Sequence, residues 1–287
     1  AAATLAVPRA ATPVFLVLLA AAIAGDQLRL QPEVVSLALL MALPLLGPTG
    51  IGVSRFHLSS LWLWSGVNKI LSTGWSTGGA AFIASSLGSS GLRPAVVVGL
   101  PLVELVLGAA SLWRRTWPVV RGLAPALHLG ILLTLSPFFA DWNSAVWPWN
   151  VALAVAGFAL FRPEPASAPA PRPAGSGRPA LVAATGAFVL IASPALFYAG
   201  AVDAYLAHNL YTSNTAAAVV CQPNGACDGT LFDTFGSLNV PVPPEPRLFR
   251  RMFDTACRPG ERLVITGRAT VFTDPPTQTN RDCPRRA

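Results

Sequence analysis

The sequence predicts an all-α polytopic membrane helix bundle of about seven spans, followed by a small extracytoplasmic α/β domain that carries disulfides. Three observations predict it. Apolar residues make up 53% of the 287, charged residues 11%, and the mean hydropathy is +0.53. A soluble globular chain carries about 25% charged residues, so a soluble enzyme is excluded, and the same apolar content excludes disorder. The charges are also unevenly placed. Residues 1–202 hold five carboxylates and eleven basic residues, whereas residues 203–287 hold eight carboxylates and nine arginines. Finally, all four cysteines lie in the polar last 85 residues. The net charge of +7 is scattered between apolar runs with no basic stripe, so it reads as flanks of membrane spans and not as a nucleic-acid surface.

A span needs roughly 20 mainly apolar residues. The candidates are 5–25, 33–53, 57–75, 94–113, 117–139, 144–161 and 180–202. Residues 1–161 are thus a six-span bundle and 180–202 a seventh helix. The first candidate is interrupted by Pro8 and Arg9, which leaves a signal-sequence remnant as the other reading, with no clear small-residue cleavage site after it. The Pro/Ala-rich run over 162–179 reads as an extended cytoplasmic linker. Arg9, Arg55, Arg114, Arg115, Arg121, Arg162, Arg172 and Arg178 fall on one side of this arrangement. By the positive-inside rule that side is cytoplasmic, with the N-terminus, and the tail is extracytoplasmic. Trp75, Trp142, Trp147 and Trp149 are expected at the outer interface, Trp113 and Trp117 at the inner one.

The tail, 203–287, holds Cys221, Cys227, Cys257 and Cys283. Cysteines confined to a small polar module indicate disulfides in an oxidising compartment. A zinc site is the poorer reading, because Cys-x5-Cys is not a zinc spacing, and no metal is expected. The simplest pairing is Cys221 with Cys227 and Cys257 with Cys283. Residues 216–222 and 263–272 read as strands. Residues 245–257 place Leu248, Phe249, Met252 and Phe253 at helical spacing, with Pro246 suited to a first turn.

Ionisable residues inside spans are the candidate site. Of the 20 basic residues 19 are Arg; the one Lys, Lys69, lies inside the third span. Lys is able to deprotonate on desolvation where Arg is not, so the lone Lys suits a base; snorkelling to the interface is the plain alternative. Glu104, near the middle of its span, is either protonated or partnered, and Lys69 is the first choice of partner, His128 the second. The pair reads equally as a packing device or as a proton-handling site. His128 alone reads as an interhelical hydrogen bond. Asp141, Asn143 and Asn150 lie where Pro148 interrupts the backbone, and Asp26 and Arg29 either pair across one turn or help close the same outer pocket. Ser65, Gly66, Ser72 and Gly74 make a small face on the third span, which favours close helix packing.

The segment WSGVNKILSTGW, residues 64–75, resembles the Gly-x-x-Lys-Leu…Trp segment in the transmembrane domain of vitamin K-dependent γ-glutamyl carboxylase and its horizontally transferred bacterial relatives. GDQLRLQP, the Glu104 helix and HLGILLTLSPFFADWNSAVWPWN resemble a bacterial branch near DoxX-like and methylamine-utilisation E-type membrane proteins. The resemblance covers about residues 20–162. It implies that Lys69 is a base acting on a quinone or hydroquinone at the extracytoplasmic face; Glu104 and His128 are its expected tuning partners from their places in the spans, not from the resemblance. The carboxylase's large lumenal region has no counterpart here. The expected function is therefore an inner-membrane protein with an outer-leaflet polar pocket, carboxylase-like or redox-associated, acting on a quinone-like or lipidic molecule. The alternative is a non-catalytic accessory subunit of a larger membrane electron-transfer complex, docking partners through its tail. A transporter is the third reading, weakened by the absence of an internal repeat. Membrane lipids and other complex subunits are the expected partners.

Overall fold

The computed structural model describes residues 7–142, 146–162, 178–229 and 242–284. The expected linker over 162–179 falls almost wholly outside these residues, as does Asn143.

Helix α1, Pro8–Gly25, exposes Val14, Val17 and Leu18, as a lipid-facing helix does. After it, α2 (Pro32–Ala42) continues as a 3-10 turn over Leu43–Leu46 and stops at Gly47. Then α3, Pro48–Ile70, runs unbroken. The break expected between residues 53 and 57 is therefore misplaced. Gly47 at φ 72° supplies the left-handed stop, and Pro48 opens the next helix in its first turn. Arg55, expected in a loop, remains helical because its Nε donates to Leu160 O at 2.7 Å and its guanidinium lies 4.4 Å over the Trp117 ring. Helix α4, Gly79–Ser86, was not expected. The others follow the predicted spans with shifted ends: α5 (Arg93–Ser111), α6 (Trp117–Leu135), α7 (Val146–Leu160) and α8 (Arg178–Ala192), which ends in a 3-10 turn over Ser193–Phe197.

Among the described residues three segments are long and apolar enough to cross a bilayer: Pro8–Gly25, Ser90–Ser111 and Arg114–Leu135. The helices over Pro32–Leu46, Val146–Leu160 and Ala184–Phe197 are apolar but shorter. Helix α3 has the length but carries Arg55, His57, Asn68 and Lys69, with His57, Asn68 and Lys69 buried; it is the axis of the bundle. It meets α5, α7 and α8, and Leu58, Trp62, Leu107, Val120, Leu153 and Phe161 close the core around it.

The α3–α5 seam is antiparallel and close. Ser111 Oγ donates to Ser59 Oγ at 2.6 Å. Further along, Gly108 faces Leu63, and Gly66 faces Pro101 and Leu105. A Cβ on Gly66 would lie 2.8 Å from the Pro101 carbonyl, and one on Gly108 2.7 Å from Leu63 N. Only glycine lets the two backbones approach this far, and the approach carries Lys69 to Glu104.

The tail folds as an antiparallel four-stranded sheet in the order β2-β1-β3-β4, made of β1 (Ala217–Cys221), β2 (Cys227–Asp228), β3 (Arg262–Thr266) and β4 (Gln278–Asp282). Helix α9, Pro246–Ala256, lays Phe249 and Phe253 against Ala218, Leu263 and Ile265. Disulfides join Cys221 to Cys227 and Cys257 to Cys283. The strand expected over 263–272 stops at Thr266. The chain beyond it docks on the bundle: Thr73 N donates to Ala269 O and Val271 N to Leu71 O, each at 3.0 Å, and Ser72 bridges Thr270. The tail thus meets the C-terminal end of α3, and Arg55, with Trp117 and Leu160, marks the opposite end.

Candidate functional site

Lys69 sits one residue before the end of α3 and is 4% exposed. Its Nζ donates to Glu104 Oε1 and Oε2, both at 2.8 Å, and to Ser65 Oγ at 2.7 Å. Ser65 Oγ in turn donates to Glu104 Oε1 at 2.9 Å. Ser65 precedes Lys69 by four residues, so both face α5 from the same side of the helix. The three N–H bonds of an ammonium are all used, and the carboxylate is held at both oxygens. Trp75, expected in an interfacial belt, is 3% exposed instead. Its ring covers Lys69 Nζ at 5.6 Å, and its indole N–H is fixed by Val97 O at 3.0 Å.

The pair forms part of the wall of a cavity of about 350 Å³. Aliphatic and aromatic side chains from α3, α4, α5 and α6 dominate that wall, and Lys69, Glu104, His128, Asn150, His208 and Tyr211 are polar members of it. Such a volume and composition match a small-molecule pocket. Of the outer-pocket candidates, Lys69, Glu104, His128 and Asn150 line this cavity together. Asp141 is exposed and outside the lining. Asp26 and Arg29 are outside it as well: they pair with each other at 3.3 Å, and Asp26 belongs to a second groove.

His128 is a fully bonded residue. Trp62 Nε1 donates to its Nε2 at 2.9 Å, so Nε2 is the acceptor. Its Nδ1 lies 3.0 Å from Asn150 Oδ1. Asn150 Nδ2 donates to Val146 O at 2.9 Å, which turns Oδ1 toward the imidazole. The neutral Nδ1–H tautomer satisfies every one of these contacts. Glu104 bonds Lys69 and Ser65, not His128.

Several residues of the site escape sequence reasoning. His208 lines the cavity from the tail segment, and its ring lies 5.6 Å from that of His57. His57 Nε2 meets Ser36 Oγ at 2.8 Å, while Nδ1 is buried with no partner among the described residues. Trp149 lines the cavity, and its indole N–H likewise has no partner there. Ser65 was legible by its four-residue offset from Lys69 but was read as a small packing residue. His208 offered no signal, because nothing in its local sequence says that the tail folds back against α3. Asn68 explains how it does so: Nδ2 donates to Ala207 O, Tyr198 Oη donates to Oδ1, and its backbone carbonyl accepts from Asn214 Nδ2. Among the described residues no group of three or more His, Cys, Asp or Glu is placed to hold a metal ion. Comparison of the chain with family models, with curated proteins and with solved structures finds no match.

Proposed function

We propose that this is an integral membrane protein of about seven spans, N-terminus cytoplasmic and disulfide-bonded tail extracytoplasmic, whose cavity binds a quinone-like lipophilic molecule at the Lys69–Glu104 pair. One observation carries the reading: a buried, doubly bonded Lys–Glu pair stands in the wall of a largely apolar cavity beneath the tail. Buried charge in a membrane bundle is costly and marks a site of function by default. A carbonyl or hydroxyl oxygen of the ligand competes with Ser65 Oγ for one N–H of the ammonium. Passage of one proton along a 2.8 Å contact leaves Lys69 as a neutral amine and Glu104 as an acid. Lys69 is then a base for a ligand hydroxyl, as the resemblance to the carboxylase implies. His128 positions the wall and does not transfer the proton, since both ring nitrogens are occupied. Bacterial inner-membrane residence fits the Arg-marked end opposite the disulfide-bearing tail.

The test is a titration of the purified full chain in detergent with menadione and decylubiquinone, read by quenching of tryptophan fluorescence; Trp62 and Trp149 line the cavity. Saturable quenching is expected. It weakens at least tenfold in Lys69→Met and in Gly130→Phe, which fills open space at the cavity wall. Absence of saturation, or equal binding in both variants, overturns the reading.

A further inference from the structure

A second concave site lies between the tail and the Gly25 end of α1. This groove is about 880 Å³ in volume and runs from Ala24–Leu28 to the polar face of α9 and Arg281. Arg247, Arg250, Arg251 and Asp254 follow one another at i, i+3, i+4 and i+7 and therefore share that face. The opposite face is spent on the tail's core through Phe249 and Phe253.

The charges of the groove do not cancel. Arg247 is held by Asp203 at 2.7 and 2.5 Å and touches Gln27 at 3.2 Å, which ties α9 to the end of α1. Glu245, behind Arg247, is turned to the backbone N–H of Ala204 at 2.7 Å and contacts Arg247 at 3.4 Å. Asp254 is taken by both donors of Arg281 at 2.7 and 2.8 Å, and Asp26 by Arg29. Arg250 and Arg251 remain exposed, their guanidinium groups with no hydrogen bond or ion pair among the described residues. Two guanidiniums without partners among the described residues, framed by fixed ion pairs, suit an anion with several acceptor oxygens.

Position selects the source of that anion. The groove begins where α1, an apolar helix long enough to span, ends at Gly25. That is the depth of lipid phosphate groups. Below it, Val14, Val17 and Leu18 are 59–70% exposed and offer a track for acyl chains. We infer that the groove between α1 and α9 binds the phosphate of an anionic phospholipid headgroup through Arg250 and Arg251, with the acyl chains along α1. The site is separate from the Lys69–Glu104 cavity and does not depend on what that cavity binds.

The experiment uses the delipidated full chain in detergent, given equal amounts of phosphatidylglycerol and phosphatidylcholine, with the retained lipid counted by native mass spectrometry. Each Arg near a membrane surface contributes about a fivefold preference for anionic lipid. The wild type should retain phosphatidylglycerol preferentially, and Arg250→Gln/Arg251→Gln should lose about twentyfold of that preference. Arg250→Lys/Arg251→Lys should keep most of it. Among the described residues neither guanidinium has a partner whose loss would disturb the fold. Equal retention of the two lipids by the wild type, or an unchanged preference in the Gln double variant, overturns the inference. Displacement of phosphatidylglycerol by low-millimolar inorganic phosphate also overturns it, by assigning the groove to a soluble phosphate.

Discussion

Lys69 Nζ is equidistant, at 2.8 Å, from the two carboxylate oxygens of Glu104, and Ser65 Oγ bonds both partners. The pair is neutral as a unit, so the unit can stand in an apolar wall where either charge alone cannot. Removing one member leaves an uncompensated charge. Lys69→Met should therefore cost about 3–5 kcal/mol, and Lys69→Met/Glu104→Gln clearly less than the single variant, since no charge remains. Thermal unfolding in detergent of the wild type, both single variants and the double variant checks this. Strictly additive losses would mean that the two groups do not interact.

The Trp62–His128–Asn150 chain predicts a tautomer. With Nε2 accepting from Trp62 and Nδ1 facing Asn150 Oδ1, His128 should be neutral with its proton on Nδ1. The chain has three histidines, so nitrogen NMR of labelled protein, with His128→Gln for assignment, reads it directly. Trp62→Phe leaves a buried acceptor unmet and should cost about 1–3 kcal/mol through the lost bond alone. A proton on Nε2 in the wild type would contradict the arrangement.

Gly66 sets the approach of α3 to α5. A methyl group there meets the Pro101 carbonyl at 2.8 Å, and backbone cannot step aside as a flexible side chain does. Gly66→Ala should destabilise the bundle by about 1–3 kcal/mol. It should also weaken quinone binding, because it moves Glu104 away from Lys69. Gly99→Ala, on α5 and outside the cavity lining, is the control, since a Cβ at Gly99 meets nothing within 4 Å. Equal stability of the two variants would remove the role assigned to the seam.

The pairing of Lys69 with Glu104 was legible because a bundle offers a buried charge few partners, and both residues lay in apolar spans. The tail's helix and first strand were legible from the spacing of Leu248, Phe249 and Phe253 and from the β-branched run before Cys221. The boundary between α2 and α3 was not, because a charged Arg55 looked like a loop. Its real partners, Leu160 O and Trp117, are about a hundred and about sixty residues away in sequence and invisible locally. Asp26 and Arg29 pair across one turn, one of the two readings their spacing offers, while the placement of Asp141 at the cavity rested on depth alone. Depth fixes height in the membrane but not azimuth around the bundle, and azimuth is set by helix neighbours. The same limit hid His208, which reaches the cavity through contacts that Asn68 makes with the tail.

In the tail, Glu245 should give stability a pH dependence. Burial holds its carboxyl above the ordinary value of 4.5, opposed by the Ala204 N–H bond and by Arg247. The folded state therefore binds this proton more tightly than the unfolded state. Stability from this group is fully present below 4.5 and is lost as pH rises from there through the raised folded value. Glu245→Gln keeps an acceptor for Ala204 and has no such proton. The melting temperature of the wild type relative to Glu245→Gln should fall between pH 4.5 and 7. A flat difference across that range would show that Arg247 offsets the burial in full.

The two disulfides should contribute unequally. Cys221 and Cys227 close a span of 6 residues beside the β1–β2 turn, while Cys257 and Cys283 close one of 26 and fasten the end of α9 to the chain after β4. By loop-closure entropy the longer link restrains the unfolded tail by about 3.5 kcal/mol and the shorter by about 2.2 kcal/mol. Cys257 is also buried in the tail's core with Phe249 and Phe253, whereas Cys227 is exposed. Cys257→Ser/Cys283→Ser should therefore loosen α9 and raise its hydrogen exchange well above that of Cys221→Ser/Cys227→Ser. On intact cells, an impermeant maleimide should label the wild-type tail only after an impermeant reductant has been applied. Labelling before reduction would deny the bonds. Labelling that requires the membrane to be opened first would place the tail, and with it the Lys69 end of the bundle, in the cytoplasm.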